Sequence, residues 1–66
     1  GTNARQAFQL FKRNTEEHPQ SANAFDSLGD FYAATGEKQK AIAAYMQSLK
    51  LQETVDTRRK LEELKK

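Results

Sequence analysis

Apolar side chains recur every three or four residues in four segments of the chain, and short polar stretches separate these segments. This spacing is that of one face of an α-helix, so it predicts helices that each bury one side. The predicted helices run from about Asn3 to Glu17, from Ala22 to Thr35, from Lys38 to Leu51, and from a cap at Thr54 to Lys66. The sequence therefore predicts an all-α fold of about four antiparallel helices joined by tight loops.

The junctions between these segments carry residues that start or stop helices. Pro19 disfavours helical geometry at the residue before it and so ends the first helix. Ser21 is placed to cap the second helix, and Thr54 the fourth. Gly36 stands where a left-handed residue closes the second helix. Asp56 falls in the first turn of the fourth helix, where the helix dipole favours an acid.

Length and composition narrow the class of protein. The chain has 66 residues, no cysteine, and a net charge of +2 from eleven basic and nine acidic residues. This size fits one small domain stabilised by helix packing, because no disulfide or thiolate zinc site is available. No apolar run approaches the roughly 18 residues of a membrane span, and acids are interleaved with the basic side chains, so we expect neither membrane nor nucleic-acid binding. The start "GTNARQ" lacks an initiator methionine, so we expect the C-terminal piece of a longer protein, and no feature indicates its compartment.

Gly29 raises a question, because a glycine inside a helix costs about 1 kcal/mol relative to alanine. A shift of the chain by 34 residues places "AFQLF" (7–11) over "AIAAY" (41–45), which indicates an internal repeat. The signature positions are Phe25, Leu28, Gly29, Tyr32, Ala41, Tyr45 and Leu49, preceded by Ala7 and Phe11 in a partial repeat. This pattern resembles the tetratricopeptide repeat, which is built from helix–turn–helix units of about 34 residues.

The resemblance implies how the chain is divided. Residues 1–19 hold the second helix of a partial repeat, residues 22–53 form one complete repeat, and residues 54–66 form a polar capping helix that ends the array. It also implies a reason for Gly29: without a Cβ, the two helices of the repeat approach closely, and we expect Ala41 to be the small surface opposite. Glu53 stands where the family has proline, so we expect the third helix to run on towards the fourth with only a slight break.

The sequence has few residue patterns that are typical of catalytic or metal-binding sites. His18 is the one histidine, and with no second histidine or cysteine it is interpreted as a solvated residue at a helix end. The serines fall at caps or helix faces, and none stands in a Gly-x-Ser-x-Gly elbow. The run "RRKLEELKK" has acids between its basic residues and is interpreted as a solvated capping helix. We therefore expect no enzymatic activity, no cofactor and no metal ion.

The resemblance also implies a function. Tetratricopeptide proteins generally bind other proteins, and the first helices of their repeats line a concave groove for a peptide. The positions that correspond to this groove are Asn23, Asp26, Asp30, Ala33 and Ala34. The family's clamp for acidic chaperone tails needs lysine and asparagine there, whereas Asp26 and Asp30 would repel a carboxylate. We expect a basic or neutral protein or peptide segment as the partner; the alternative is that both acids are only solvated helix surface.

Two hypotheses for the whole chain remain open. In the first, it is a non-enzymatic protein–protein interaction module. In the second, it is a structural appendage that packs on a parent catalytic domain or self-associates into a homodimer, since stacked repeats usually need about three units for stability. Phe31 lies off the main apolar stripe and is expected to pack on the first helix or to form an exposed patch. Exposure of Phe8, Phe11 or Phe31 would indicate a missing neighbour.

Overall fold

A computed structural model describes residues 3–66, and within these residues the chain forms four α-helices and no strand. The helices are α1 (Ala4–Glu17), α2 (Ala22–Ala34), α3 (Lys38–Leu51) and α4 (Val55–Leu64). The predicted all-α fold of about four helices is confirmed. The predicted ends are close to the observed ones: α1 begins one residue later than expected, α2 ends one residue earlier, and α4 ends two residues before the end of the chain.

The predicted caps fix where the helices begin and end. Ser21 Oγ accepts a hydrogen bond from the backbone N–H of Ala24 at 3.2 Å, and Thr54 Oγ1 accepts one from the N–H of Thr57 at 3.3 Å. Each bond satisfies an amide that the first helical turn leaves without a partner. Gly36 has a φ of +82°, the left-handed conformation that glycine adopts without steric cost.

A Schellman motif surrounds Gly36 at the end of α2. The N–H of Glu37 donates to the carbonyl of Tyr32 at 2.8 Å, and the N–H of Gly36 donates to the carbonyl of Ala33 at 3.3 Å. These two bonds satisfy carbonyls that have no partner within the helix, and they reverse the chain direction over three residues. The predicted left-handed cap at Gly36 is confirmed.

The junction between α3 and α4 differs from the expectation. Gln52 and Thr54 are both extended, with φ and ψ of −160° and 120° and of −128° and 148°, so α3 does not run on towards α4 and the predicted slight break is wrong. Two interactions hold the extended junction: the cap at Thr54, and a pair of hydrogen bonds of 3.0 and 2.8 Å from the Arg58 guanidinium to the Glu53 carboxylate. Glu53 thus stabilises a full break without proline.

Each helix packs against the helix that precedes or follows it in the chain. α2 and α3 form an antiparallel hairpin, in which Ser48 near the end of α3 donates a hydrogen bond to the carbonyl of Ala22 at the start of α2, at 2.7 Å. α1 packs against α2, and α4 packs against α3. The buried apolar residues are Ala24, Leu28, Ala41, Ala44, Tyr45 and Leu61. Leu61 brings α4 into the same core cluster as Ala41 and Tyr45.

An aromatic cluster joins α1 to α2. The ring of Phe31 lies 5.9 Å from that of Phe8 and 5.7 Å from that of Phe11, and Tyr32 lies 5.9 Å from Phe8, all between centroids. These distances are within the range of favourable aromatic pairs. Phe31 therefore packs on the first helix, which is one of the two placements predicted for it. Phe8, Phe11 and Phe31 are all partly buried, whereas Leu10 on the outer side of α1 is 67% exposed.

The close approach at Gly29 involves a different neighbour from the predicted one. A Cβ at Gly29 would lie 2.5 Å from both Cδ1 and Cε1 of Tyr45, which is closer than carbon atoms pack. The ring of Tyr45, rather than Ala41, therefore lies on the backbone of Gly29. Ala41 lies one turn earlier on α3 and is fully buried in the core cluster. Gly29 is explained by helix packing, as predicted, but it makes room for a large side chain.

This contact generates a stability prediction. We expect Gly29→Ala to lower the melting temperature, because overpacking costs of about 1–3 kcal/mol outweigh the roughly 1 kcal/mol gained in helix propensity. We expect Gly29→Leu to unfold the domain. Ala34→Leu, at an exposed position of the same helix, is the matched control and should leave the melting temperature nearly unchanged. Thermal melts followed by circular dichroism measure all three, and an unchanged melting temperature in Gly29→Leu would contradict this packing.

Candidate functional site

The residues predicted to line a peptide groove lie along α2, but their surroundings differ. Asn23, Asp30 and Ala34 are exposed, whereas Asp26 and Ala33 are partly buried. Ala33 packs against the core cluster that contains Tyr45 and Leu61. Asp26 and Asp30 both contact Lys60 of α4, although Asp30 keeps half of its side chain exposed. The predicted strip is thus one wall of a surface whose other wall is α4.

A network of charged and polar side chains joins the two walls. Lys60 Nζ lies 2.9 Å from a carboxylate oxygen of Asp26, and 3.0 and 3.2 Å from the two oxygens of Asp30. The Thr57 hydroxyl donates to Asp26 at 2.8 Å, and the Tyr45 hydroxyl donates to Asp30 at 2.5 Å. One ammonium group therefore sits between two carboxylates, and both predicted acids have partners within the chain.

The network shifts the proton affinities of its members. Burial and the hydrogen bond to the Asp30 carboxylate raise the pKa of Tyr45 well above its ordinary value, because both disfavour the phenolate. Burial by itself would lower the pKa of Lys60, but its hydrogen bonds to Asp26 and Asp30 outweigh that effect and raise the pKa. Lys60 Nζ also lies 5.4 Å from the centroid of the Tyr45 ring, within cation–π range.

A polar cleft of about 230 Å³ opens beside this network, between the start of α2, the end of α3 and the start of α4. Its lining includes the side chains of Asn23, Asp26, Gln52, Asp56 and Thr57. Amide, carboxylate and hydroxyl groups of this kind suit hydrogen bonding to a peptide or to a cationic side chain. We call this cleft, together with Asp30 and Lys60 at its edge, the α2–α4 cleft.

The charges at the α2–α4 cleft are only partly balanced. Lys60 is shared between Asp26 and Asp30, and the Arg59 guanidinium lies 2.7 Å from the Asp56 carboxylate. The Arg59–Asp56 pair is largely exposed, so water and salt screen it. Three carboxylates against two cations leave a small negative excess, weaker than two unpaired aspartates would give.

Lys60 and Thr57 are the residues that the sequence reasoning missed. They belong to the fourth segment, for which the sequence predicts a polar capping helix with only Leu61 and Leu64 on its apolar stripe. A signal was present: Thr57 and Lys60 are spaced to share a helix face, as are Asp26 and Asp30, and the two pairs have complementary chemistry. The structure brings these pairs together across 31 and 34 residues of sequence.

The other features that the sequence analysis considered for function lie outside the α2–α4 cleft. His18 is exposed at the end of α1, where its backbone N–H donates to the carbonyl of Asn14. Residues 3–66 hold no group of three or more His, Cys, Asp or Glu side chains arranged to bind a metal ion. Over the same stretch no helix has the length and apolar character needed to cross a membrane. In α4, Arg58 and Arg59 both pair with acids.

Comparison with known proteins gives no match. No family model matches the chain, and neither a curated protein nor a solved structure does.

The network at Tyr45 and Lys60 predicts a loss of stability in alkali. Both pKa values are raised on folding, so the stabilisation is complete below the ordinary values near pH 10 and is lost as the pH rises through the higher values of the folded state. We expect the melting temperature to fall between about pH 10 and pH 12. Tyr45→Phe should show a smaller fall, because it removes one of the two groups.

The control for this experiment is Tyr32→Phe, which leaves the hydrogen bond between Tyr45 and Asp30 in place. It should show the same alkaline fall in melting temperature as the unsubstituted chain. An alkaline fall of equal size in Tyr45→Phe would mean that the network does not carry the pH dependence.

Proposed function

We propose that this chain is a non-enzymatic protein-interaction module of the tetratricopeptide-repeat type, and that the α2–α4 cleft is its binding surface. One observation carries the assignment. All nine signature positions, from Ala7 to Leu49, are buried or partly buried, and none is exposed. Burial of these positions is what the repeat pattern requires, and it supports the proposal.

The arrangement of the helices supports the same proposal. The contact between Gly29 and Tyr45 closes the α2–α3 hairpin, and both residues are signature positions of the repeat pattern. α4 follows the hairpin and packs on α3, while its side chains Thr57 and Lys60 reach α2. These contacts support the proposal that α4 takes the position of a further repeat's first helix and ends the array with a charged outer side.

The chemistry of the cleft favours a partner segment with a basic side chain. Asp26, Asp30 and Asp56 outnumber the cations beside them, and Asp30 and Asp56 each keep half or more of the side chain exposed. A lysine or arginine of a peptide would add hydrogen bonds to these carboxylates, whereas an acidic tail would be repelled. The proposal therefore excludes the acidic chaperone tail as the ligand of this cleft.

The second hypothesis, a structural appendage that packs on its parent or on a second copy, is favoured by a different surface. Leu10 is 67% exposed on α1, where Gln6, Gln9 and Arg13 share its side and line a shallow depression with it. A large apolar side chain in that position is a contact that a neighbouring domain or copy would cover.

Selection from a displayed library of random peptides tests the proposed function. We expect enriched peptides to carry lysine or arginine, and we expect Asn23→Arg to weaken their binding about tenfold by adding a positive charge to the cleft. Gln39→Arg, an exposed position near the start of α3, is the matched control and should leave the affinity unchanged. Absence of enriched peptides, or equal effects of the two substitutions, would contradict the proposal.

A further inference from the structure

A second groove lies along the seam between α3 and α4 and shares no lining residue with the α2–α4 cleft. Its volume is about 280 Å³, and its apolar lining consists of Met46, Leu49 and Leu61. Leu61 is buried and Leu49 partly buried, but Met46 is 56% exposed. Methionine is flexible and polarisable, so it adapts to the side chains that bind against it. We call this depression the outer groove.

Positive charge surrounds the apolar part of the outer groove. Lys50, Arg58 and Lys65 line it together with a single acid, Glu53. Arg58 already binds Glu53 through two hydrogen bonds, which lower the pKa of that carboxyl and keep it ionised. Within residues 3–66, neither Lys50 nor Lys65 has a carboxylate oxygen within 4.0 Å. The groove thus presents two ammonium groups that form no ion pair with the described residues.

We propose that the outer groove binds an acidic peptide segment that carries one large aliphatic side chain. The aliphatic side chain would lie on Met46 and Leu49, where it removes apolar surface from water. Carboxylates on both sides of it would reach Lys50 and Lys65. Charge complementarity decides the occupant, because a basic segment would be repelled by the same two lysines and a neutral one would leave them unpaired.

This partner is opposite in charge to the one proposed for the α2–α4 cleft, and the two proposals are independent. An acidic segment is disfavoured in the cleft by its carboxylates and favoured in the outer groove by its lysines. A basic segment has the reverse preference. The domain would then hold two different segments at two separate surfaces.

Fluorescence anisotropy with a labelled synthetic peptide tests the inference. The peptide has a central leucine flanked on both sides by aspartate and glutamate. We expect saturable binding that weakens about tenfold when Met46→Glu places a carboxylate in the groove, and by a similar factor when the peptide's leucine becomes alanine. We also expect the affinity to fall as salt is raised, because screening weakens the contacts to Lys50 and Lys65.

The controls separate this groove from the other surfaces. Leu10→Glu makes the same kind of change at an exposed apolar residue of α1 and should leave the affinity unchanged, and so should Asn23→Arg in the cleft. Circular dichroism confirms that each variant keeps its helices. No saturable binding, or equal weakening by Met46→Glu and Leu10→Glu, would overturn the proposal.

A second copy of the chain is the competing occupant, because its own α3–α4 junction is an acidic segment with an aliphatic side chain. Val55 is exposed in this junction, and Glu53 and Asp56 stand on either side of it in the sequence. Sedimentation equilibrium over a range of concentrations detects it. A dimer that becomes a monomer in Met46→Glu, together with no binding of the peptide, would show that the groove serves self-association and would overturn the proposal. A monomer that binds the peptide supports it.

Discussion

The ring of Tyr45 lies on the bare backbone of Gly29, and this contact sets the distance between α2 and α3. Tyr45 also takes part in three further contacts among the last three helices. Its hydroxyl binds Asp30 of α2, its ring faces the ammonium of Lys60, and it shares a core cluster with Leu61 of α4. One side chain therefore ties three helices together, which a domain of this size needs because it has no disulfide and few large buried side chains.

The contacts of Tyr45 also shape the α2–α4 cleft, which is the surface proposed to bind a partner. Because α4 is fixed against Tyr45 by Leu61, Lys60 is held where it reaches Asp26 and Asp30. The two aspartates are then partly neutralised, and the wall of the cleft is formed before any ligand arrives. Such preorganisation reduces the entropy that binding costs. Function, if it is peptide binding, depends on α4 as much as on the complete repeat.

Local chemistry explains which features were predictable from the sequence. The helix ends at Ser21, Gly36 and Thr54 depend on residues within a few positions of each cap, so they were predicted correctly. The need for a small residue at Gly29 was also predictable, but its neighbour was not, since the offset between two helices depends on all their contacts. The break at Glu53 and the role of Lys60 depend on partners that only the folded chain brings close.

We infer from these contacts that α4 unfolds together with the α2–α3 hairpin as one cooperative unit. Amide hydrogen exchange under native conditions tests this inference, because exchange reports the free energy of opening for each helix. We expect the slowest amides of α4, around Leu61, to open with the same free energy as those around Leu28 in α2. If α4 exchanges through a much less costly opening while α2 and α3 stay protected, α4 is a separate appendage and the cleft is not preformed.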